Sequence, residues 1–408
     1  MRRVEELEVA GKVVFLRTEF NVALDENYNV VDDSRIRASL PTIQHLCDNG
    51  AKLVICSHIG RPWGKPDKSK SLCHLVEPLV SLLGRPVMFS ADCIGPERQS
   101  LQERLQATDI LLLENVRFYS EENDNDEAFS KQLASGVDIY VNDAFGNSHR
   151  PHASMIGVPK MVSQKAVGIL VNQELNAINS FLTDAAHPAV AIIGGAKVAG
   201  KDGKIHVIRN LLKSMDYIVV VGKISYYFLE AVGQVVGSTI SADRRQIDAP
   251  GSDIASAVDD CTAVIDLANE MGKEIFLPLD SVVVTPSGDQ PTVIIHGEDT
   301  FPSDGVAYDL GPRTLQRILN LVSQAGSVVW NGPLGYIEDE RFRNSTVEVA
   351  RKIGESRAKT LVGGGDTLTV LPDDSFSFDH IHVCTGGGAM LTMLMGRDLI
   401  AIRALEEG

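Results

Sequence analysis

AVAIIGGAKVAGKDGK, Ala189 to Lys204, is the stretch on which the fold reading turns. The unbroken apolar run Ala189 to Ile193 reads as a strand buried on both faces, the pattern of a parallel sheet. Gly194 and Gly195 follow at once, and then a helix-permissive segment carrying Lys197 and Lys201. Strand, glycine turn and helix start together favour an anion: missing Cβ atoms let backbone amides come close, the helix N-terminus adds partial positive charge, and a lysine brings a full one. Gly195 to Gly200 followed by Lys201 approximates a P-loop, but Asp202 stands where a magnesium-binding Ser or Thr is needed. A phosphate site is therefore expected and an orthodox P-loop is not. The plainer alternative is a βα turn with its lysines in solvent.

At 408 residues the chain is too long for one ordinary core and suits two domains. A hydrophobic share of 44% with 23% charged residues describes a globular chain, and its apolar runs are strand-length, so no membrane span is expected. Met1-Arg2-Arg3 leads into acidic residues instead of a signal-type apolar run, which points to the cytoplasm. The net charge of −16 argues against a nucleic-acid partner, whose contacts rest on Lys and Arg meeting phosphates. A local basic cluster can still serve a small anion. The six cysteines show neither C-x-x-C pairs nor zinc spacing and read mostly as small buried hydrophobes.

Working outward from the anchor, the first half repeats a strand, a polar loop and a helix. Lys12 to Arg17 runs into Thr18, Glu19, Phe20 and Asn21, and a helix from about Ile36 to Asp48 follows. Leu53 to Ser57 ends at His58, Gly60 and Arg61; Asp109 to Leu113 ends at Glu114, Asn115 and Arg117; Ile139 to Val141 ends near Asp143, His149 and Arg150. Alternation of this kind specifies an α/β fold with a mostly parallel sheet, and ligands of such sheets bind beyond the carboxyl ends of the strands. Arg17, Arg35, His58, Arg61, Arg117 and Arg150 fall at that end. Guanidinium forks match carboxylates and phosphates, so the group suggests a small molecule with two or more anionic groups. Any one of these arginines is as well explained by a local carboxylate or by solvent; recurrence at one sheet end carries the argument. The acidic run Glu121 to Glu127 reads as a solvated face.

Val162 to Leu182 has a helical pattern with no strand before the anchor, the natural joint between two α/β halves. In the second half the strand ends carry glycines: Tyr217 to Val221 ends at Gly222, Ser327 to Trp330 at Asn331, Gly332 and Pro333, Lys359 to Val362 at Gly363, Gly364, Gly365 and Asp366, and Ile381 to Thr385 at Gly386, Gly387 and Gly388. Glycine turns that open helices admit phosphates and flat rings, and Asp366 can hold a metal ion arriving with those phosphates. No G-x-G-x-x-G follows a strand, which weakens a dinucleotide reading. Met390, Met393 and Met395 read as helix core.

These motifs, in this order and over essentially the whole chain, resemble the phosphoglycerate kinase family. LRTEFNV resembles its first substrate strand; SHIGRP, LLLENVRF, VNDAFGNSHRPHAS, GGAKVAGK, WNGPLGYIE, GGGDT and CTGGGA resemble further signatures. The resemblance implies reversible phosphoryl transfer between 1,3-bisphosphoglycerate and magnesium ADP, giving 3-phosphoglycerate and ATP. It implies two Rossmann-like domains joined by a long hinge helix: residues 1–165 with a returning 390–408 tail for phosphoglycerate, the helix 166–183, and residues 184–389 for the nucleotide. A monomer is expected.

Carried over position by position, Glu19, Asn21, Arg35, His58, Arg61, Arg117 and Arg150 match the phosphoglycerate ligands. Gly195, Lys197, Lys201, Asn331, Glu338, Gly364, Gly365, Asp366 and Thr367 match the ATP/ADP side, with Glu338 at the ribose and Asp366 at Mg2+. Arg35 and Lys197 would flank the transferring phosphoryl, and the amides of Gly386, Gly387 and Gly388 would assist from a third side. Glu19 stands where the family has an aspartate and Lys223 where it has a glycine. Lys201 to Lys204 looks like a short insertion in the segment with the second phosphate lysine, for which Lys201 is preferred to Lys204 as lying four residues after Lys197 on one helical face. Two rival readings are a catalytically silent binding protein of the same family and a P-loop-type NTP hydrolase. The first conflicts with the intact Arg35 and Lys197 pair, the second leaves the basic cluster without a use. With Arg35 before the central helix and Lys197 after it, closure with both ligands bound is expected, hinged near Gly168, Thr183 to Pro188 and the approach to Gly386.

Overall fold

Short runs of Val, Ile and Leu form the strands around which the chain is layered, and helices cover them. A computed structural model of the chain describes residues 1–241, 254–286, 288, 290–368 and 379–407, the side chains of Asp366 and Leu368 excepted. It divides into two compact units, Met1–Asn176 with Asp398–Gly408, and Ala177–Arg397.

In the first unit the strands are β1 (Val13–Thr18), β2 (Lys52–Cys56), β3 (Val87–Ser90), β4 (Ile110–Leu113), β5 (Ile139–Asp143) and β6 (Gln164–Val167). Among the described residues they form one parallel sheet in the order β3-β4-β2-β1-β5-β6. The chain winds outward from β1 on one side as far as β3 and then crosses to β5 on the other. The switch point therefore lies between β1 and β5, where Arg17 is level with Asn142 and Thr18 with Asp143. A crevice opens beyond the strand ends at such a point. Beneath it Val14, Leu16, Leu53, Ile55, Leu112 and Val141 share a core with Ile36, Ile43 and Leu46 of the helix Ser34–Asp48. The helix Ile400–Glu406 returns to this unit, with Ala401 and Ala404 packed on Ala144, Met155 and Ile156 and the Ala401 amide donating to Ser148 O at 3.0 Å.

In the second unit β7 (Ala189–Ile193), β8 (Tyr217–Val220) and β9 (Glu274–Phe276) precede β10 (Asp280–Val284), β11 (Thr292–Ile295) and β12 (Val306–Leu310), and β13 (Ser327–Asn331), β14 (Lys359–Gly363) and β15 (Ile381–Val383) follow. A parallel sheet runs β15-β14-β13-β7-β8-β9, with its switch point between β7 and β13. The anchor strand is thus the centre of its sheet, and all five of its residues are buried. Trp330, fully buried, donates its indole N–H to Gly332 O at 2.9 Å, so the core side chain also holds the turn that follows it. Met390 and Met393 are buried in the helix Gly387–Leu394, as the helix-core reading expects.

Three sequence expectations change. The helical pattern from Val162 to Leu182 is interrupted: β6 occupies Gln164–Val167 and the helix spans Ile169–Thr183. β6 is an edge strand, exposed at its Gln164 end and buried only at Ala166 and Val167, so its composition carries no strand signature. The β10-β11-β12 antiparallel sheet was not anticipated, because its apolar runs, Val282 to Val284 and Val293 to Ile295, are only three residues long and partly exposed. Residues 194–203 are loop, and the helix starts only at Lys204. Gly200 takes φ +85°, outside helical space, and the loop closes where the Lys204 and Ile205 amides donate to Lys197 O and Val198 O at 3.1 Å each. Lys197 and Lys201 therefore share no helical face.

At the start of the helix Ile169–Thr183, Asp143 accepts the Leu170 and Val171 amides at 3.1 and 3.4 Å while fully buried, and burial pushes its carboxyl up to about 7. A carboxyl whose pKa is about 4 unfolded and higher when folded binds protons better in the native state, so its ionisation removes stability as pH rises between those values. Asp143→Asn should flatten the pH dependence of unfolding free energy between about pH 4 and 7, relative to the unsubstituted chain, in urea titrations. Parallel pH profiles for the two proteins would contradict it.

Candidate active site

At the switch point of the first sheet, the end of β1 and the loops after β2, β4 and β5 bring cations together. Arg17 is fully buried, His58 is 1% exposed and Arg117 is 7% exposed. Each is held from the main chain or a neighbouring loop. Arg17 donates through Nε to Ser154 Oγ at 2.8 Å, through one terminal nitrogen to Thr18 O, and through the other to His58 Nδ1 at 3.3 Å. Arg117 donates to Gly60 O at 2.8 Å and Asn147 Oδ1 at 3.1 Å, and burial with nearby Arg17 and Arg150 brings its pKa down to about 10. Burial and the Arg117 and Arg17 charges hold His58 well below the usual histidine range, so its ring is neutral at pH 7. Burial and Arg117 likewise push His152 down to about 3.

Asn21 joins the group by accepting the Gly60 amide on Oδ1 at 2.7 Å, which ties the loop after β1 to the loop after β2. Arg35 meets Glu19 at 2.9 Å. Glu19 also accepts the Gly146 amide, and a Cβ at Gly146 would overlap its carboxylate, so a side chain there would displace Glu19. The longer glutamate arm thus reaches both Arg35 and the β5 loop. Burial raises the Glu19 pKa while Arg35, Arg17 and Arg117 oppose that rise. Arg150 is half-buried beside Arg117, and Arg61 is exposed on the loop that Asn21 and Arg117 hold.

The solvated-face expectation for Glu121 to Glu127 fails at Glu122, which is fully buried. It accepts the Ser154 hydroxyl at 2.6 Å and amide at 2.8 Å, and lies 3.7 Å from His152 Nδ1. Burial raises its pKa, against the pull of Arg17 and the two Ser154 donors. A run of acidic letters conceals which member the fold turns inward, and the nearby cations are the reason this one can be buried. Ser154, Asn147 and Asn115 were also not singled out; Asn115 accepts the Arg117 amide at 3.0 Å and donates to Ile59 O and Lys70 O at 2.8 and 2.9 Å.

At the switch point of the second sheet, backbone presses on backbone. A Cβ on Gly332 (φ +95°) would stand 2.5 Å from Gly194 O, and one on Gly222 (φ +63°) 2.7 Å from Gly195 N. Close approach explains these glycines before any ligand does. The Gly195 amide is engaged, donating to Pro333 O at 3.2 Å. Asn331 donates to Gly363 O at 2.9 Å, Thr367 Oγ1 accepts the Gly332 amide at 3.1 Å, and Gly387 would carry a Cβ 3.5 Å from Gly364 Cα. Gly195, Asn331, Gly364, Thr367 and Gly387 are thus brought together. Gly365 opens a short helix beside them, Gly388 follows in the helix after Gly387, and the Asp366 side chain lies outside the described residues.

Of the three lysines in the anchor loop, Lys204 occupies the switch point: Nζ donates to Gly194 O and, at 3.2 Å, to Asn331 O. Lys201 is exposed, its carbonyl accepting from Arg397 at 2.8 Å. Lys197 is 56% exposed and 3.8 Å from Asp202. Beside this cluster a cavity of about 440 Å³ is lined by Gly195, Gly222, Lys223, Tyr308, Pro333 and Glu338. Its walls come from β12 and from the helix Ile224–Ala231, which Lys223 caps. Among the described residues no group of three or more His, Cys, Asp or Glu is placed to hold a metal, and no helix is long and apolar enough to cross a membrane.

Clustered cationic side chains at one switch point and a glycine and lysine turn beside a cavity at another are an arrangement suited to an α/β phosphotransferase. The family model described as phosphoglycerate kinase matches residues 4–397. Phosphoglycerate kinases of Koribacter versatilis and Clostridium tetani are 40% and 36% identical, over 99% and 100% of this chain and 98% of each relative. The solved structure of the Coxiella burnetii phosphoglycerate kinase superposes with a TM-score of 0.82 at 32% identity, covering 99% of this chain and 98% of its own. That of Pyrococcus horikoshii gives 0.82 at 28%, covering 100% and 98%. The chain belongs to the phosphoglycerate kinase family, and its reaction is the reversible phosphoryl transfer between 1,3-bisphosphoglycerate and ADP that yields 3-phosphoglycerate and ATP.

The contrast between Lys204 and Lys201 yields a test. Lys204→Ala should weaken MgADP binding more than about tenfold, whereas Lys201→Ala should change it less than about twofold, as befits a half-buried charge bonded to two carbonyls and a solvated one. Calorimetric titration of both variants decides it; the reverse order would return the phosphate role to Lys201.

Proposed function

We propose that the first unit's cation cluster holds the phosphoglycerate and the second unit's glycine turns hold the nucleotide. The observation that carries this reading is the convergence of Arg17, His58, Arg117 and Arg35 at the β1/β5 switch point. A bare hydrolase has no use for such a cluster. Bidentate arginines suit a substrate carrying a phosphate at one end and a carboxylate or acyl phosphate at the other. A neutral His58 adds a hydrogen bond without adding to the mutual repulsion.

On the nucleotide side, the cavity beside Gly222 accepts the base and Glu338 the ribose, while Lys204 and Lys197 face the phosphates. Mg2+ enters as part of the nucleotide substrate, with Asp366 its protein partner. Lys223 adds a cation to the base cavity at the family's glycine position. The transferring phosphoryl carries charge on three equatorial oxygens, and catalysis consists of holding donor and acceptor in line while neutralising that charge. Arg35 and Lys197 supply the neutralising charge, and the Gly387 and Gly388 amides at a helix start assist. Glu19 keeps Arg35 in a fixed orientation until substrate competes for it. The protein works as a cytoplasmic monomer.

A coupled assay with ATP, Mg2+ and 3-phosphoglycerate should show ADP formation that depends on the phosphoglycerate. ADP release indifferent to it would favour a hydrolase, and no ADP at all a silent binding protein. Lys197→Ala should lower kcat on the order of a hundredfold while changing neither KM comparably, because a charge meeting the phosphoryl in transit stabilises the transition state above the ground state. A changed KM with intact kcat would refute that role.

A further inference from the structure

Three groups with no assigned part in the reaction chemistry, Glu122, Ser154 and Tyr140, lie behind the cation cluster, in contact and almost wholly out of water. Ser154 sits in a turn of π-helix, Ala153–Gly157, a rare geometry that places its amide and hydroxyl on the same side. Its carbonyl accepts the Tyr140 hydroxyl at 2.8 Å, so the residue is fixed from the β5 side. Its amide and hydroxyl both donate to Glu122, at 2.8 and 2.6 Å, which leaves the oxygen lone pairs of Oγ facing Arg17 Nε at 2.8 Å. Glu122, Ser154 and Arg17 are all fully buried.

The direction of each bond is forced. A guanidinium only donates, so Ser154 Oγ must accept from Arg17, and with Glu122 ionised beside that guanidinium the Ser154 hydroxyl gives its own proton to the carboxylate. At the far end Arg17 faces His58 Nδ1 at 3.3 Å and again can only donate. His58 Nδ1 is then the acceptor, and the ring, neutral in this setting, carries its proton on Nε2.

We propose that Glu122 and Ser154 are positioning residues that orient Arg17 and, through it, hold His58 in its Nε2–H tautomer, so that the phosphoglycerate site offers a neutral N–H donor in a fixed direction. The proposal rests on the reading of the first unit as the phosphoglycerate site. It runs against simple charge counting. Removing a carboxylate from behind an anion site should tighten anion binding if Glu122 acts only by its field, and should loosen it if Glu122 acts by geometry. In Glu122→Gln the amide can accept from only one of the two Ser154 donors, whichever way it turns, so the charge is lost and the geometry disturbed while the volume is kept.

The experiment uses the full chain labelled with 15N-histidine. Ring 15N shifts of His58 should report the Nε2–H tautomer in the unsubstituted protein, and a mixture, or the Nδ1–H form, in Ser154→Ala and Glu122→Gln. In the same variants the KM for 3-phosphoglycerate should rise about tenfold, the size expected for one hydrogen bond to a charged group, while the KM for MgATP stays within about twofold. Ser154→Thr, which keeps the hydroxyl, should restore both readouts. An unchanged His58 tautomer in folded Ser154→Ala, tighter phosphoglycerate binding in Glu122→Gln, or both KM values rising together would overturn the proposal. Should Glu122→Gln fail to fold, the Ser154 pair decides alone. Absence of phosphoglycerate-dependent turnover in the unsubstituted enzyme would sink the functional reading instead, and the tautomer measurement would still test the relay.

Discussion

Like charges crowded out of water repel, and the first unit must keep Arg17, Arg117 and His58 together before any anion arrives. The chain meets that constraint in three ways. Main-chain carbonyls accept the guanidinium protons, as Thr18 O and Gly60 O do. Two carboxylates stand close by, Glu19 at the Arg35 side and Glu122 behind Arg17. His58 is held neutral, which removes one charge from the cluster. A buried guanidinium without such partners would cost several kcal/mol, so the layout of loops around β1, β2 and β5 follows from the need to place these acceptors.

The second unit solves a different problem with the same topology. At its switch point glycines stand in place of side chains, and on the proposed reading nucleotide phosphates approach the main chain there. Turns after β7, β8 and β13 then come close enough for their own carbonyls and amides to interlock, and the Lys204 ammonium sits where two of those carbonyls converge. In this state the lysine braces the turns. A phosphate would compete with carbonyl oxygens for the same protons and would win by its full charge. Lys197 is more than half exposed, 3.8 Å from Asp202, whereas Lys204 is bonded to two carbonyls.

Much of this was legible in the letters. The strands that carry ligands are unbroken Val, Ile and Leu runs, and β1, β2, β4, β5, β7, β8, β13 and β14 stand within a residue or two of their expected places. Their ends name the chemistry, because Arg17 and Asn331 stand in the last positions of β1 and β13 and His58 and Arg117 in the loops just after β2 and β4. What escaped depends on the third dimension. β6 is an edge strand with Gln164 exposed and Lys165 half-buried, so nothing in its composition separates it from the helix behind it. Glu122 sits in an acidic run, and only the fold shows which member turns inward to Ser154. The anchor loop was read as helix because lysine and alanine permit one, whereas the Gly200 backbone angle forbids it and delays the helix to Lys204. Spacing along a chain locates sites well, but it does not count the residues a loop spends before its helix begins.

The account assigns each substrate to one unit, and amide hydrogen exchange of the full chain tests that assignment most directly. 3-Phosphoglycerate alone should slow exchange in the loops after β1, β2 and β5, around Asn21, Gly60 and Gly146 to Arg150, and leave the turns after β7, β8 and β13 unchanged. MgADP alone should do the reverse, protecting Gly194 to Lys204, Gly222 and Gly332 to Glu338. Protection of the nucleotide turns by 3-phosphoglycerate alone, with the loops of the first unit untouched, would contradict it.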